Sequence, residues 1–266
     1  MVINLKVVVT GASSGIGLEL SKLLCRESDT VVLGVARRAD RLEALASEFS
    51  TCFKPLVADL STISGVNSVV KAVSEELGRI DLLVNNAGFG LYKSVLEHDE
   101  SELMSMAMVN FITPVILTKK LAPLMNRGSA VVFVITAGIH VLMRALPVYG
   151  ATKIALHYTV ELLRSELEKR GIHVLSVYPG AVKTEFHLRA GGNPTEGIDA
   201  SEVAKAVLRA IRSRKKKVYI PRYLSFLRFF GPHLAVSGPS SRNSPRRPAV
   251  GLNIAETALT GVKQST

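Results

Sequence analysis

Leu5–Leu24 reads LKVVVTGASSGIGLELSKLL, in which an apolar run, a glycine-rich turn and an amphipathic helical pattern follow one another without a break. The apolar run has the Val-rich character of a strand covered on both faces. In the turn, Gly11 permits a tight reversal and Gly15 lets the backbone approach a pyrophosphate. Gly17 lets the helix pack closely on the strand. The helix N-terminus then presents free N–H groups and a positive dipole end to the phosphates. Glycine-rich turns are common, but this one lies between a strand and a helix, which is the context a dinucleotide site requires.

The alternation continues along the chain. TVVLGVA (Thr30–Ala36), FKPLVA (Phe53–Ala58), DLLVNN (Asp81–Asn86), AVVFVIT (Ala130–Thr136) and IHVLSVY (Ile172–Tyr178) read as further buried strands, because their apolar residues run on rather than alternate. Between them stand segments of helical length, among them DRLEALASEF, a stretch capped by Ser61 or Thr62 and reaching Leu77, and ATKIALHYTVELLRSELEKR. Strand and helix in this rhythm predict an α/β fold, a single Rossmann-type doubly wound parallel sheet flanked by helices. Residues 1–220 are expected to form that domain. Residues 221–236 form an aromatic and basic segment, and residues 237–266, dense in Ser, Pro, Gly and Arg, are expected to be a flexible tail.

The formal net charge of +11 belongs almost wholly to one end. Residues 1–211 carry 22 Lys+Arg against 21 Asp+Glu, a balance of +1. Residues 212–266 carry 11 against the single Glu256, a balance of +10. No reader fold accompanies that charge, so nucleic acid is not the expected partner. Cys25 and Cys52 stand far apart with no metal or redox spacing; they read as free thiols, and no metal site is expected. The N-terminus enters a strand pattern at once, which leaves no room for a targeting segment. Together these features point to a reducing, cytoplasmic setting. No run of about 18 uninterrupted apolar residues occurs, so no bilayer-spanning segment is expected.

The second strand ends at Ala36 and is followed by Arg37-Arg38. In this architecture that position lies beside the adenosine ribose. A carboxylate there would accept from a 2′-hydroxyl, whereas arginine favours a 2′-phosphate. Asp40 comes too late and leads into the next helix. NADP is therefore expected over NAD.

Tyr149 and Lys153 lie four residues apart, one helical turn, so both side chains share a face. A cation beside a phenol favours the phenolate and suits proton transfer. With them, the chain resembles the short-chain dehydrogenase/reductases over roughly Val7–Ile220. TGASSGIG is similar to the family's cofactor loop, VADL (Asp59, Leu60) to the segment beside the adenine, and NNAG (Asn85–Gly88) to the motif ending the fourth strand. Asn110 matches the helix asparagine of the catalytic tetrad, YGATK the YxxxK pair, and PGAVKT (Pro179–Thr184) the loop that holds the nicotinamide carboxamide.

That resemblance implies a cofactor site formed by Gly11, Ser13, Ser14, Gly15, Ile16, Gly17, Arg37, Arg38, Asp59, Leu60, Asn86, Ala87, Gly88, Tyr149, Lys153, Pro179, Gly180, Val182 and Thr184. It implies Tyr149 as general acid/base, Lys153 lowering the pKa of that phenol, and Asn110 holding a water in a proton relay within a distorted helix. The fourth tetrad member, usually serine, is Thr136 here. Threonine keeps the hydroxyl and adds a methyl on a stiff side chain. The following Ala137, Gly138 and Ile139 also depart from the family's spacing. His140 reads as a structural histidine of an apolar loop, and His157 and His173 as structural without partners.

The loop EFHLRAGGNPTEGID, with Phe186, Leu188 and a Gly-Gly pair, suits a mobile lid over an apolar pocket whose lip is Leu142, Met143 and Leu146. A hydrophobic ketone or secondary alcohol is the expected substrate. The family's usual dimer or tetramer is expected through helices around Met104–Met125 and Ala151–Lys169, with Leu156, Val160 and Leu163 in the apolar stripe. After Ile220, Tyr223, Phe226, Leu227, Phe229 and Phe230 stand among Arg222 and Arg228. These aromatics either fold back to cap the pocket or lie in an anionic membrane surface as a peripheral contact. The cap is the expectation, because Gly231-Pro232 ends the segment early. A protein that binds NADP(H) as a sensor with little turnover stays open as the alternative to an enzyme.

Overall fold

The computed structural model describes residues 5–193, 196–230 and 235–236. The first half of the chain forms β1 (Leu5–Thr10), α1 (Gly15–Cys25), β2 (Thr30–Ala36), α2 (Ala39–Glu48), β3 (Phe53–Val57), α3 (Ile63–Ala72), β4 (Ile80–Asn85), α4 (Glu100–Ala107), α5 (Thr113–Leu121) and β5 (Met125–Val134). The second half forms β6 (Leu142–Met143), α6 (Pro147–Lys169), β7 (His173–Pro179), β8 (Val182–Lys183), α7 (Phe186–Arg189), β9 (Ile198–Asp199), α8 (Ala200–Arg212), β10 (Lys217–Ile220), α9 (Leu227–Phe230) and β11 (Ala235–Val236).

Seven strands make one parallel sheet in the order β10-β7-β5-β4-β1-β2-β3, the doubly wound arrangement expected. Because side chains alternate across a strand, Val8 faces one layer while Val7 and Val9 face the other. Val8 packs with Val66 and Val69 of α3, Leu117 and Leu121 of α5, and Leu156 and Val160 of α6. Val7 and Val9 pack with Leu20 and Leu24 of α1, Leu42 and Leu45 of α2, and Val203 and Val207 of α8. Pro55, which cannot donate to a ladder, lies on the edge strand β3. Thr62 caps α3 by accepting from Gly65 N at 3.0 Å.

Two expectations are corrected at this level. Cys25 and Cys52 are joined in a disulfide, with Cα atoms 5.5 Å apart. Cys25 ends α1 and Cys52 immediately precedes β3, and the crossover brings together two residues separated by 27 in sequence. The ground for inferring free thiols and a reducing compartment is thereby removed. Leu156 and Val160, expected in a subunit interface, are fully buried within the chain, and Leu163 packs partly buried against the same core. The stripe they form covers the sheet.

Residues 100–124 form one helical stretch long and apolar enough, by length and composition, to cross a membrane. It lies against the sheet, with Met106, Asn110, Leu117 and Leu121 buried.

Candidate active site

Strand order reverses between β1 and β4, which opens a crevice at the carboxyl ends of the strands. Thr10, at the end of β1, knits the crevice together. Its hydroxyl donates to Val84 O at 3.1 Å and accepts from Asn86 N and Ala87 N, each at 3.0 Å. The Asn86 amide donates to Thr10 O at 2.9 Å. Glycine is required here: Gly11 has φ +71°, and a Cβ on it would lie 2.9 Å from Asn86 Nδ2. At Gly17 a Cβ would lie 2.3 Å from Gly11 O. The strand, the glycine turn and the NNAG turn therefore close on one another only because those side chains are missing.

The crevice is a cavity of about 710 Å³. Every residue singled out in the sequence as a site candidate lines it except Gly17 and Asn110, which stand behind its wall. One end is formed by the glycine loop with Arg37, Arg38, Asp59 and Leu60. The other holds Thr136, Tyr149, Lys153, Pro179, Gly180 and Thr184. Burial pushes the Asp59 carboxyl up, but bonds from Ser61 N and Oγ, at 2.9 and 2.8 Å, and the charge of Arg37 hold it below the usual range.

Asn110 is fully buried in a π-turn, Met108–Ile112, that joins α4 to α5. Its Oδ1 accepts from Phe89 N at 2.9 Å, while its Nδ2 donates to Phe89 O at 2.8 Å and to Thr152 Oγ1 at 3.1 Å. The amide thus clamps the turn after NNAG. Gly88 leaves room for it, since a Cβ there would come within 3.1 Å of Asn110 Oδ1 and 3.3 Å of Lys153 Nζ.

Tyr149 and Lys153 occupy the first turns of α6. The Lys153 ammonium lies 5.9 Å from the Tyr149 ring centroid and donates to Val134 O at 2.9 Å. Burial opposes charge on both groups: it lowers Lys153 to about 8 and raises the Tyr149 phenol far above its ordinary value. The spacing alone predicts a depressed phenol. In the folded chain desolvation outweighs the opposing effect of the Thr136 hydroxyl and keeps the Tyr149 phenol neutral at physiological pH.

Thr136 Oγ1 accepts from Gly138 N at 3.1 Å and donates to Pro179 O at 3.3 Å. The same hydroxyl opposes the rise of the Tyr149 phenol. The changed residues after Thr136 form a 3₁₀ turn, Ala137–His140, which the Thr136 hydroxyl caps. His140 points away from the cavity to Tyr219 OH, 2.8 Å from its Nε2. His157 and His173 do have partners: Tyr178 OH at 2.9 Å and Lys215 O at 3.0 Å.

The wall beyond the tyrosine is apolar. Phe186 meets the Tyr149 ring edge-on at 5.1 Å, and Val141, Met143, Leu146, Leu224 and Leu227 complete it. Leu142 and Leu188, expected at the lip and lid, are exposed instead. His187 also lines the cavity, its Nδ1 2.6 Å from Tyr92 OH. The cap is built differently from the expectation. Residues 222–230 form a 3₁₀ turn followed by α9, and a helical period of three to four places Leu224 and Leu227 inside. The same period turns Tyr223, Phe226 and Phe229 to solvent, each at least 63% exposed. Residues 231–234 and the expected tail, 237–266, lie outside the described residues.

At the adenine end the structure adds residues that sequence spacing does not reveal. Glu185, directly after the PGAVKT loop, pairs with Arg38 at 2.7 Å, Arg41 at 3.3 Å and Arg189 at 3.6 Å. The Arg38 bond holds its carboxyl below the ordinary range. Nothing in a sequence links positions 147 apart. Three guanidinium groups around one carboxylate make a site that accepts an anion, and the glycine cradle beside it accepts a pyrophosphate. The residues present fit NADP(H).

A crevice at the strand reversal, floored by glycines and holding a Thr-Tyr-Lys set, defines a nucleotide-dependent oxidoreductase architecture, and the chain belongs to the short-chain dehydrogenases, whose family profile matches residues 5–191. Among its relatives, Dehydrogenase/reductase SDR family member 7B of Xenopus laevis is 32% identical over 272 residues, spanning 92% of this chain and 84% of that protein. Among solved structures, a short-chain dehydrogenase from Sphingobium yanoikuyae in complex with NADPH is 27% identical. It has a TM-score of 0.76 and covers 84% of this chain and 90% of its own. A bulky-bulky ketone specific alcohol dehydrogenase from Comamonas testosteroni is 26% identical, with a TM-score of 0.71, covering 82% of this chain and 87% of its own.

Proposed function

We propose that this oxidoreductase interconverts a hydrophobic ketone and the corresponding secondary alcohol with NADP(H). The observation that carries the reading is that Thr136, Tyr149 and Lys153 line one end of a single cavity whose other end holds the glycine loop, Arg37 and Arg38. Bound NADP(H) supplies or accepts the hydride. Arg37, Arg38 and the glycine loop hold its adenosine phosphates; Asn86–Gly88 and Pro179–Thr184 line its path to the tyrosine.

In reduction, Thr136 Oγ1 donates to the substrate oxygen and polarises the carbonyl, and the Tyr149 hydroxyl gives that oxygen its proton. Lys153, as the ammonium, stabilises the phenolate left behind. Asn110 positions Phe89 and the NNAG turn and thereby keeps Lys153 in place. Phe186, Met143, Leu146, Leu224 and Leu227 exclude water and select an apolar substrate. The solved ketone-specific relative supports this substrate class. NADPH consumption across a panel of hydrophobic ketones, with NADH as comparison, tests the reading. Turnover with NADPH supports it. Cofactor binding without turnover on any ketone favours the sensor.

Two partner surfaces belong to the same proposal. Met104 together with Ile154, Tyr158 and Leu162, which repeat every four residues along α6, leaves apolar side chains exposed and fits a second copy of the chain. Tyr223, Phe226 and Phe229 beside Arg222 and Arg228 fit an anionic lipid surface at the mouth of the apolar pocket, where a hydrophobic substrate enters.

A further inference from the structure

The arginine cage at the adenine end is already filled, and the group that fills it comes from the substrate loop. Arg38 Nη1 reaches Glu185 Oε2 at 2.7 Å, while its Nη2 donates to Ser13 Oγ at 3.1 Å, beside the phosphate-binding turn. Arg41 holds Glu185 Oε1 at 3.3 Å and also meets Asp40 at 3.8 Å. Arg189, four residues beyond Glu185, returns to the same carboxylate at 3.6 Å and donates to Ser14 Oγ at 2.9 Å. Ser14 is the N-cap of α1, so Arg189 links the substrate loop to the phosphate end of the nucleotide crevice. Glu185 in turn is the residue before Phe186, which rests on the Tyr149 ring.

We propose that Glu185 is an internal stand-in for the cofactor's 2′-phosphate: it occupies the arginine cage in the free protein and must be displaced when NADP(H) binds. The proposal rests on the NADP(H) reading above. A carboxylate presents one charge and two oxygens where the phosphate presents up to two charges and three oxygens, so the phosphate is the better partner for a cage of three guanidinium groups. Displacement still carries a cost, which only a 2′-phosphorylated nucleotide meets in full. Because Glu185 begins the short helix that carries Phe186, the same exchange changes the wall beside Tyr149 and couples cofactor choice to the substrate pocket.

The test uses the full chain and two fragments that do not reach the tyrosine, 2′,5′-ADP and 5′-AMP, bound by the wild type, Glu185→Gln and Arg38→Ala. Glutamine keeps the shape and removes the competing charge. Glu185→Gln is expected to bind 2′,5′-ADP about tenfold more tightly, equivalent to about 1.4 kcal/mol. Its affinity for 5′-AMP stays as in the wild type, which also shows that the fold is intact. Arg38→Ala is expected to lose the preference for 2′,5′-ADP. Unchanged or weaker binding of 2′,5′-ADP to Glu185→Gln, or equal tightening for both fragments, overturns the proposal and leaves the NADP(H) reading standing. A wild type that does not prefer 2′,5′-ADP overturns that reading and the proposal with it.

Discussion

Lys153→Met is expected to make the protein more stable while destroying its activity. Lys153 is 3% exposed, and burial lowers it from its ordinary 10.5 to about 8. At 1.36 kcal/mol per pH unit, that difference of 2.5 corresponds to about 3 kcal/mol of unfavourable burial of the charged form. The sign follows from proton linkage. The folded chain binds this proton more weakly than the unfolded chain, so the cost is full below about pH 8 and fades as pH rises through 10.5. Methionine has a similar length and no charge, but it abandons the bond to Val134 O, a loss of about 1 kcal/mol. The net gain near pH 7 is about 2 kcal/mol. Urea unfolding of both proteins at pH 7 and pH 10 reads it. The variant should be the more stable at pH 7, with its advantage shrinking by about 2 kcal/mol by pH 10. A variant less stable at pH 7, or a difference that does not change with pH, refutes the assignment of a strained buried charge to Lys153.

Three further outcomes are expected. Thr136→Ser should retain activity, because a hydroxyl is kept in the cavity wall that Tyr149 also lines, whereas Thr136→Ala should lower kcat by about 10²–10³-fold; a fully active alanine variant shows that another group polarises the carbonyl. Flotation with anionic vesicles should be salt-sensitive and should fall sharply in Phe226→Ser/Phe229→Ser, with ketone turnover in solution retained, since both rings face away from the cavity; equal flotation of variant and wild type removes the membrane surface. Sedimentation at micromolar concentration should show an oligomer that Tyr158→Glu dissociates, and a wild-type monomer removes the helix-face interface.

Much of this molecule was legible in the sequence because its signals are local. The strand, glycine turn and helix of Leu5–Leu24 are contiguous, and their geometry follows from residue type: Gly11 adopts the positive φ its position demands, and Gly17 makes the close approach. Tyr149 and Lys153 share a face because they share a helix. What escaped depends on distance through space. The Cys25–Cys52 disulfide forms across a crossover. Glu185 reaches Arg38 from the other end of the domain. The cap differs for another reason: composition marks 221–236 as aromatic and basic, but the helical period decides which side chains turn inward, and within 222–230 it selects Leu224 and Leu227. Proton affinities escaped as well, because the Tyr149–Lys153 spacing carries no information about how deeply the pair is desolvated.

The central claim is that Tyr149 gives a proton to a substrate oxygen in an NADP(H)-dependent reduction. Tyr149→Phe removes one oxygen from the cavity and leaves the packing against Phe186 in place. The direct measurement follows NADPH consumption at 340 nm on a ketone that the wild type turns over, alongside NADPH affinity from fluorescence titration. The account predicts near-complete loss of turnover in the variant with cofactor affinity unchanged; turnover at the wild-type rate in Tyr149→Phe contradicts it.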